Sequence, residues 1–199
     1  MEILVKSVAV AEELQKLQQF SASFATEEYI RSVCAMVTAH TDKPVLACKG
    51  ISLLGKVCRT SKQACSVIVD LGFTSTIATL LATYLNHNDT LIDMCIMLLI
   101  VLVEKLDEAS KGICDAVLLY VLPVLSSSAE GLLLKCVRLL GCFSLSDDCI
   151  PSMLEQRVVY YICQTVTCNM SDKKLVKVSM DLLANLCALE DAEVQTNCM

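Results

Sequence analysis

The 199-residue sequence has no tryptophan, only three prolines and only six glycines. Proline and glycine interrupt regular secondary structure, and segments rich in them tend to stay disordered. Their scarcity argues against long linkers and disordered regions. Apolar residues make up 55% of the chain, which is enough for one sizeable core or a short array of repeats. Apolar helix formers with so little glycine and proline favour an all-α fold.

Histidine is also scarce, whereas cysteine is abundant. The two histidines, His40 and His87, fall at a predicted helix junction and in a polar turn, and the thirteen cysteines form no Cys-x-x-Cys pair. Zinc sites usually need a tighter cluster of these ligands, so we expect no metal and no cofactor. An odd number of cysteines among apolar helix residues indicates reduced thiols used as small core residues. That predicts a cytoplasmic protein, with nuclear or cytoskeletal association left open.

Motifs of catalysis are missing too. The sequence contains no glycine-rich phosphate loop, no Gly-x-Ser-x-Gly and no His-Glu-x-x-His. A nucleophilic cysteine needs a basic neighbour that lowers its pKa, and Cys58 beside Arg59 and Cys136 beside Lys135 come near this arrangement. Adjacent residues on a helix do not face each other. We therefore expect a protein that is not an enzyme.

Charge and hydropathy restrict the partners. A net charge of −6 argues against broad nucleic-acid binding, which needs a basic face. The most apolar run, 96–103, is bounded by Asp93 and Glu104 and is far shorter than the roughly 20 residues that span a bilayer. We interpret it as a buried helix. Residues 1–6 lack a basic leader and an unbroken apolar region, so we expect no signal peptide and no membrane insertion.

A leucine pair inside a long helical pattern recurs four times. The offsets between the first leucines of successive pairs are 45, 41 and 43 residues. The pairs are Leu53 and Leu54, Leu98 and Leu99, Leu139 and Leu140, and Leu182 and Leu183. A small residue stands three positions before each pair: Gly50, Cys95, Cys136 and Ser179. Apolar positions recur at helical spacing around the pair, and small residues at fixed points let a neighbouring helix approach closely.

Two shorter helical runs lie between successive long helices. They are predicted at 61–71 and 73–85, at 113–120 and 121–125, and at 149–155 and 158–167. Gly72 should end the first of these runs, and Pro123 should bend or shorten the run at 121–125. Start signals precede the long helices: Pro44 after Asp42, Asn88, the pair Ser127 and Glu130, and Asp172.

Three helices in a unit of about 40–47 residues are typical of armadillo and HEAT repeats. The segment Val67-Ile-Val-Asp-Leu-Gly-Phe-Thr-Ser-Thr-Ile-Ala-Thr-Leu-Leu81 resembles the passage from the first to the second helix of an armadillo repeat. Ser179-Met-Asp-Leu-Leu-Ala-Asn-Leu-Cys187 resembles the third helix. Over roughly residues 26–190 the chain thus resembles the armadillo family, with HEAT repeats as the structural rival.

The resemblance implies one domain, 1–199, built as a right-handed all-α solenoid of about four three-helix repeats. Helices at 4–20 and 29–37 would cap it within 1–40, followed by units at 41–85, 86–126, 127–170 and an incomplete one at 171–199. In the armadillo family the third helices line a concave groove that holds an extended peptide. Members often carry an asparagine three positions after the first anchor leucine, and here only Asn185 matches. A basic nuclear-import signal is therefore not the expected partner.

The side chains on the groove face of the third helices predict a different partner. They are Lys49, Ser52, Lys56, Met94, Met97, Val101, Lys135, Arg138, Cys142, Asp181 and Asn185. A methionine-bearing centre flanked by cations predicts a scaffold or adaptor that binds an extended or helical segment with acidic and apolar residues. The alternative for the second long helix is a fully buried core helix. Two other functions stay open: a self-associating, homo-oligomeric segment of a larger assembly, and an exchange-type regulator of a chaperone or GTPase.

Overall fold

The computed structural model describes residues 26–85, 87–127 and 130–196, without the side chains of 127, 130 and 189–196. Every regular element in these ranges is a helix, which confirms the predicted all-α class. The chain divides after Leu106 into two compact units, Met1–Leu106 and Asp107–Met199, called here the first and second unit. The helix predicted at 4–20 lies outside the described residues.

The described part of the first unit consists of helices joined by short turns. They are α1 (Glu27–Ala39), α2 (Pro44–Thr60), α3 (Lys62–Asp70), α4 (Phe73–Tyr84) and α5 (Asp89–Lys105). The helices predicted at 29–37, 61–71 and 73–85 are confirmed, each within two residues at either end. The sequence pattern therefore identified the elements of this unit well.

Local side chains and backbone set these boundaries. The side chain of Asn88 accepts a hydrogen bond from the Leu91 N–H at 3.0 Å and caps α5. Pro44 occupies the first turn of α2, where its missing N–H costs nothing. Gly72 has a φ of 65° between α3 and α4, a left-handed conformation that glycine adopts without a side-chain clash. The predicted terminator is thus confirmed.

Helix α5 forms the centre of the first unit. It packs against α2, α3 and α4, and its buried residues lie on nearly all of its sides. They are Leu91, Ile92, Cys95, Ile96, Leu98, Leu99, Ile100, Val101, Leu102 and Val103. The interpretation of 96–103 as a buried helix is therefore confirmed.

The second unit repeats this plan with more irregular helices. It comprises a 3-10 turn (Asp107–Ala109), α6 (Ser110–Val121), α7 (Val124–Ser127), α8 (Glu130–Phe143), a second 3-10 turn (Asp147–Cys149), α9 (Ile150–Glu155), α10 (Val158–Cys168) and α11 (Lys173–Thr196). The run predicted at 121–125 is divided at Pro123, because Val121 ends α6 and α7 begins at Val124. Its predicted bounds are therefore wrong, although α7 is short, with four residues. Asp172 caps α11, since its Oδ1 accepts hydrogen bonds from the Lys174 and Leu175 N–H groups at 2.9 and 3.0 Å.

Packing of α8 against α11 builds the core of the second unit. Leu139 and Leu140 are fully buried on α8, and Leu182 is buried on α11. Leu183 is only partly buried. Ser144 and Asn185 join the same two helices, because the Asn185 Nδ2 donates to the Ser144 Oγ at 3.0 Å.

One stretch of the second unit is long and apolar enough to cross a bilayer by length and composition. It spans Asp107–Ser126. Over 18 residues of this stretch the mean hydropathy is 1.5, and half of them are buried inside the protein. In the first unit, Lys62–Asp70 and Phe73–Tyr84 meet the same criterion only as a pair bent by 76°. Core helices of soluble proteins share this composition, and α6 contributes Ile113, Val117 and Val121 to the core.

Gly50 allows α1 to approach α2, and Gly50→Ala should lower the free energy of unfolding by roughly 1–3 kcal/mol through overpacking. A Cβ at this position would overlap the Cγ2 of Val37 on α1. Gly55→Ala, in the same helix, is the matched control. A Cβ there meets no atom within 4 Å in the described chain, so it should add about 0.5–1 kcal/mol. Urea unfolding followed by circular dichroism measures both, and equal effects would contradict the prediction.

Ser179 is fully buried, and its hydroxyl has no hydrogen-bond partner among the described residues. Ser179→Ala should therefore raise the free energy of unfolding by about 1 kcal/mol, because it removes a desolvated polar atom. Ser144→Ala is the matched control. The Ser144 hydroxyl donates to the Gly141 carbonyl at 2.8 Å and accepts from Asn185, so its loss should destabilise the protein. A loss of stability in both variants would sink the prediction for Ser179.

Candidate partner-binding rows

The groove residues predicted in the first unit lie on α2 and α5, two helices that pack together. Lys49 and Ser52 are partly exposed and Lys56 is exposed on α2. On α5, Met94 and Met97 are partly exposed. Within each helix these residues are separated by three or four positions, which puts them on one face. We call Lys49, Ser52, Lys56, Met94 and Met97 the first row.

Val101, predicted on the same face, is 7% exposed and forms part of the core. It follows Met97 by one helical turn, so the groove spacing alone predicts exposure. The packing of α5 against its neighbours covers it instead. The first row therefore ends at Met97, and its accessible chemistry consists of two ammonium groups, a hydroxyl and two thioethers.

The groove residues predicted in the second unit lie on α8 and α11, which also pack together. On α8, Lys135 and Cys142 are partly exposed and Arg138 is exposed; on α11, Asp181 is exposed and Asn185 is partly exposed. We call Lys135, Arg138, Asp181 and Asn185 the second row. It combines two cations with one carboxylate, so its charge is mixed, in contrast to the purely cationic first row.

Asn185 has a structural bond that the sequence did not indicate. Its amide donates to the hydroxyl of Ser144 at 3.0 Å, and that hydroxyl donates to the Gly141 carbonyl at 2.8 Å. This chain of bonds ties α11 to the last turn of α8. Asn185, which stands three positions after the first leucine of its pair, thus holds two helices together through its amide donor.

Buried cysteines lie in the cores of both units, which confirms their predicted use as small core residues. They are Cys34, Cys58, Cys65, Cys95, Cys114, Cys136 and Cys149. Burial raises the pKa of Cys34 and of Cys114 to about 12, from an ordinary thiol value of 9.0. These two thiols are neutral at physiological pH and unsuited to nucleophilic attack.

Cys58 and Cys65 form a hydrogen-bonded pair. The sequence did not indicate this pair, because the two residues are not adjacent in the chain. The Cys65 Sγ donates to the Cys58 carbonyl at 3.5 Å. A hydrogen bond between the two thiols raises the pKa of Cys58 and lowers that of Cys65. Arg59, the neighbour noted in the sequence, does not contribute to these shifts. Both side chains are fully buried, so the Cys65 thiol, despite its lowered pKa, is not accessible to a substrate.

A cleft of about 610 Å³ lies in the second unit between α7, α8 and α10, and no sequence pattern predicted it. Leu125, Leu133, Tyr160 and Tyr161 supply much of its apolar wall. The signal that could have revealed it was the short offset of 41 residues together with Pro123. Both indicate a truncated helix, and a truncated helix leaves part of its neighbour uncovered.

The raised thiol pKa values predict that the protein loses stability as pH rises above 9. The folded pKa of Cys34 and Cys114 lies near 12, above the ordinary 9.0, so the unfolded chain loses these protons first. The stabilisation is complete below pH 9 and is lost between pH 9 and 12, at up to about 1.4 kcal/mol per pH unit and thiol.

Urea unfolding at a series of pH values across this window measures the loss. Cys34→Ala should flatten the dependence, because one of the groups responsible is removed. Cys163→Ala, which removes an exposed cysteine, is the control and should leave the dependence unchanged. Identical slopes for Cys34→Ala and the parent chain would contradict this account.

Comparison with known proteins adds information on the fold alone. No family model and no curated protein matches the chain. Two crystal structures of engineered proteins from the Northeast Structural Genomics Consortium are similar to it. One has a TM-score of 0.67 at 16% identity, over 82% of this chain and 68% of that one. The other has a TM-score of 0.64 at 18% identity, over 81% of this chain and 40% of that one. At these identities the likeness supports an all-helical fold and carries no function.

Proposed function

We propose that the chain is a non-enzymatic interaction scaffold that binds a partner segment containing acidic and apolar residues. In this proposal the long helices α2, α5, α8 and α11 are the third helices of armadillo-like repeats, and each row is a binding surface within its own unit. The first row is the primary contact. The observation that carries the proposal is the partial exposure of Met94 and Met97 on a helix with ten buried residues.

These methionines supply the apolar part of the contact. Ten residues of α5 are buried, so the helix is stabilised mainly by packing in the first unit, and the thioethers add exposed apolar surface at its edge. Methionine side chains are flexible and polarisable, and they adapt to ligands of varied shape. Covering them with a partner's apolar side chain would remove that surface from water.

Lysines supply the polar part. Lys49 and Lys56 lie on α2, which packs against the methionine-bearing helix, and both retain exposure. In a chain with a net charge of −6, such a row attracts a carboxylate-bearing segment and repels a basic one. Exposed pairs of this kind contribute modest affinity and mainly set specificity and association rate.

The thiol chemistry supports binding over catalysis. Cys34 and Cys114 carry pKa values near 12, and Cys65, whose pKa is lowered, is fully buried. His40 and His87 lie in turns between helices, apart from both rows in the sequence. A scaffold needs none of these groups ionised, whereas a thiol- or histidine-dependent enzyme would need one of them accessible and activated.

Selection from a random peptide display library on the purified chain tests the proposal. We expect enrichment of peptides that combine Asp or Glu with Leu, Met or Phe. Lys49→Glu/Lys56→Glu should weaken binding of the selected peptides about tenfold, or roughly 1.4 kcal/mol, and should favour basic peptides in a repeated selection. Met94→Gln/Met97→Gln should weaken binding to a similar extent at unchanged helix content.

Arg59→Glu/Lys62→Glu is the matched control, because it makes the same change in net charge outside the row. Loss of binding in this control equal to that in Lys49→Glu/Lys56→Glu would reduce the interaction to overall charge. Enrichment of basic peptides by the parent chain would overturn the proposal. Concentration-dependent self-association in sedimentation, without peptide enrichment, would favour the alternative of a structural segment that assembles with itself.

A further inference from the structure

The cleft of the second unit lies beside α7, a short helix. Helix α7 has four residues and packs against α10, which has eleven. At 1.5 Å per residue they are about 6 Å and about 16 Å long, so α7 spans less than half the length of α10. In the first unit the corresponding helix, α4, has twelve residues. The cleft has a volume of about 610 Å³, within the usual size of small-molecule sites, roughly 300–1,000 Å³.

The described side chains that line this cleft are uncharged. The lining consists of Leu125, Ser126, Leu133, Tyr160, Tyr161, Cys163, Gln164, Thr165, Thr167, Cys168 and Asn169. None of these residues is an acid, a lysine, an arginine or a histidine. A phosphate, carboxylate or ammonium ligand would lose hydration in the cleft without gaining an opposite charge, which is costly. The lining therefore selects against ionic ligands.

Three polar side chains along the cleft already donate to the backbone of α10. The Thr165 and Thr167 hydroxyls donate to the carbonyls of Tyr161 and Cys163, each at 2.8 Å. The Asn169 Nδ2 donates to the Thr165 carbonyl at 2.8 Å. Such side chains offer a ligand few new hydrogen bonds. Recognition must then come mainly from apolar and aromatic contact.

Tyr160 and Tyr161 provide the aromatic surface. Their ring centroids are 5.8 Å apart with the planes at 79°, an edge-to-face pair. The Gln164 Nε2 donates to the Tyr160 hydroxyl at 2.6 Å, which orients that ring. Tyr160 is 57% exposed, so an incoming ring can still cover it. Aromatic pairs of this kind add about 0.5–1.5 kcal/mol beyond the area that they bury.

We propose that the cleft between α7, α8 and α10 binds an uncharged aromatic small molecule. The ring contacts Tyr160 and Tyr161 on one side and the leucines of α7 and α8 on the other. The Tyr160 hydroxyl and the Gln164 side chain supply the few polar contacts. The cleft shares no residue with either row, so this site stands or falls independently of the scaffold function.

Disulfide trapping tests the site with cysteines that the chain already has. Cys163 and Cys168 are exposed and line the cleft, while Cys187, also exposed, lies on α11 outside it. The protein thiolate attacks the disulfide of a fragment, which forms a mixed disulfide and releases the other half as a thiol. The probes are disulfide-linked phenyl and indole fragments, each paired with a carboxylate-bearing and an amine-bearing analogue of the same size.

Mass spectrometry of the full chain in graded 2-mercaptoethanol gives the result. We expect uncharged aromatic fragments to stay on Cys163 or Cys168 at about tenfold more reductant than on Cys187, equivalent to roughly 1.4 kcal/mol. The carboxylate analogues should show no such preference. Equal retention at the three cysteines, or stronger retention of the charged fragments in the cleft, would overturn the proposal.

Two test variants and one control distinguish specific binding in the cleft from general thiol reactivity. Tyr160→Ala should abolish the preference, whereas Tyr120→Ala, which removes an exposed tyrosine of α6 outside the cleft, should retain it. Ser126→Asp adds a carboxylate to the exposed rim of the cleft and should shift retention from uncharged to cationic fragments. Ser126→Asp keeps the test decisive if Tyr160→Ala lowers the helix content. An unchanged preference in Ser126→Asp would refute the assignment.

Discussion

Burial of one long helix against another is the interaction on which each unit depends. In the first unit α5 packs on α2, and in the second α8 packs on α11. Leu53, Leu98, Leu139 and Leu182, the first leucines of the recurring pairs, are all buried at 2% exposure or less. Helical periodicity then fixes which residues lie away from these contacts. The two rows are accessible for this reason: they occupy what the leucine-anchored packing leaves uncovered.

The same packing explains why cysteine is so frequent. Close helix contacts need small apolar side chains, and the positions three before the leucine pairs hold Gly50, Cys95, Cys136 and Ser179, all buried. At Gly50 even a methyl group would overlap α1. A thiol fills such a space without an obligatory hydrogen bond, whereas the Ser179 hydroxyl finds no partner among the residues that the structure describes. Burial in turn keeps thiols such as Cys34 neutral. A buried, neutral thiol is a poor nucleophile, so the interior cysteines serve packing.

The second unit has a feature of its own. Its cleft lies beside the short α7 that follows Pro123, and the described lining is uncharged and includes Tyr160 and Tyr161. The rows consist of residues that differ among the four helices with leucine pairs. The cleft lies instead in the interval where successive pairs are closest in the sequence, at an offset of 41 residues.

The sequence by itself determined most of the helices and several of their ends, because caps and breakers act locally. Asn88, Asp172 and Gly72 each had the predicted effect, whereas the run predicted at 121–125 is divided at Pro123. Tertiary structure alone decided what covers each face: Val101 is buried by the neighbours of α5, Asn185 bonds to Ser144, Cys65 pairs with Cys58, and α10 is left partly bare. A helical period states which residues share a face, but the partner of that face comes from residues distant in the chain. The leucine pairs predict which faces of the long helices are buried, and the folded units decide which of the other residues remain exposed.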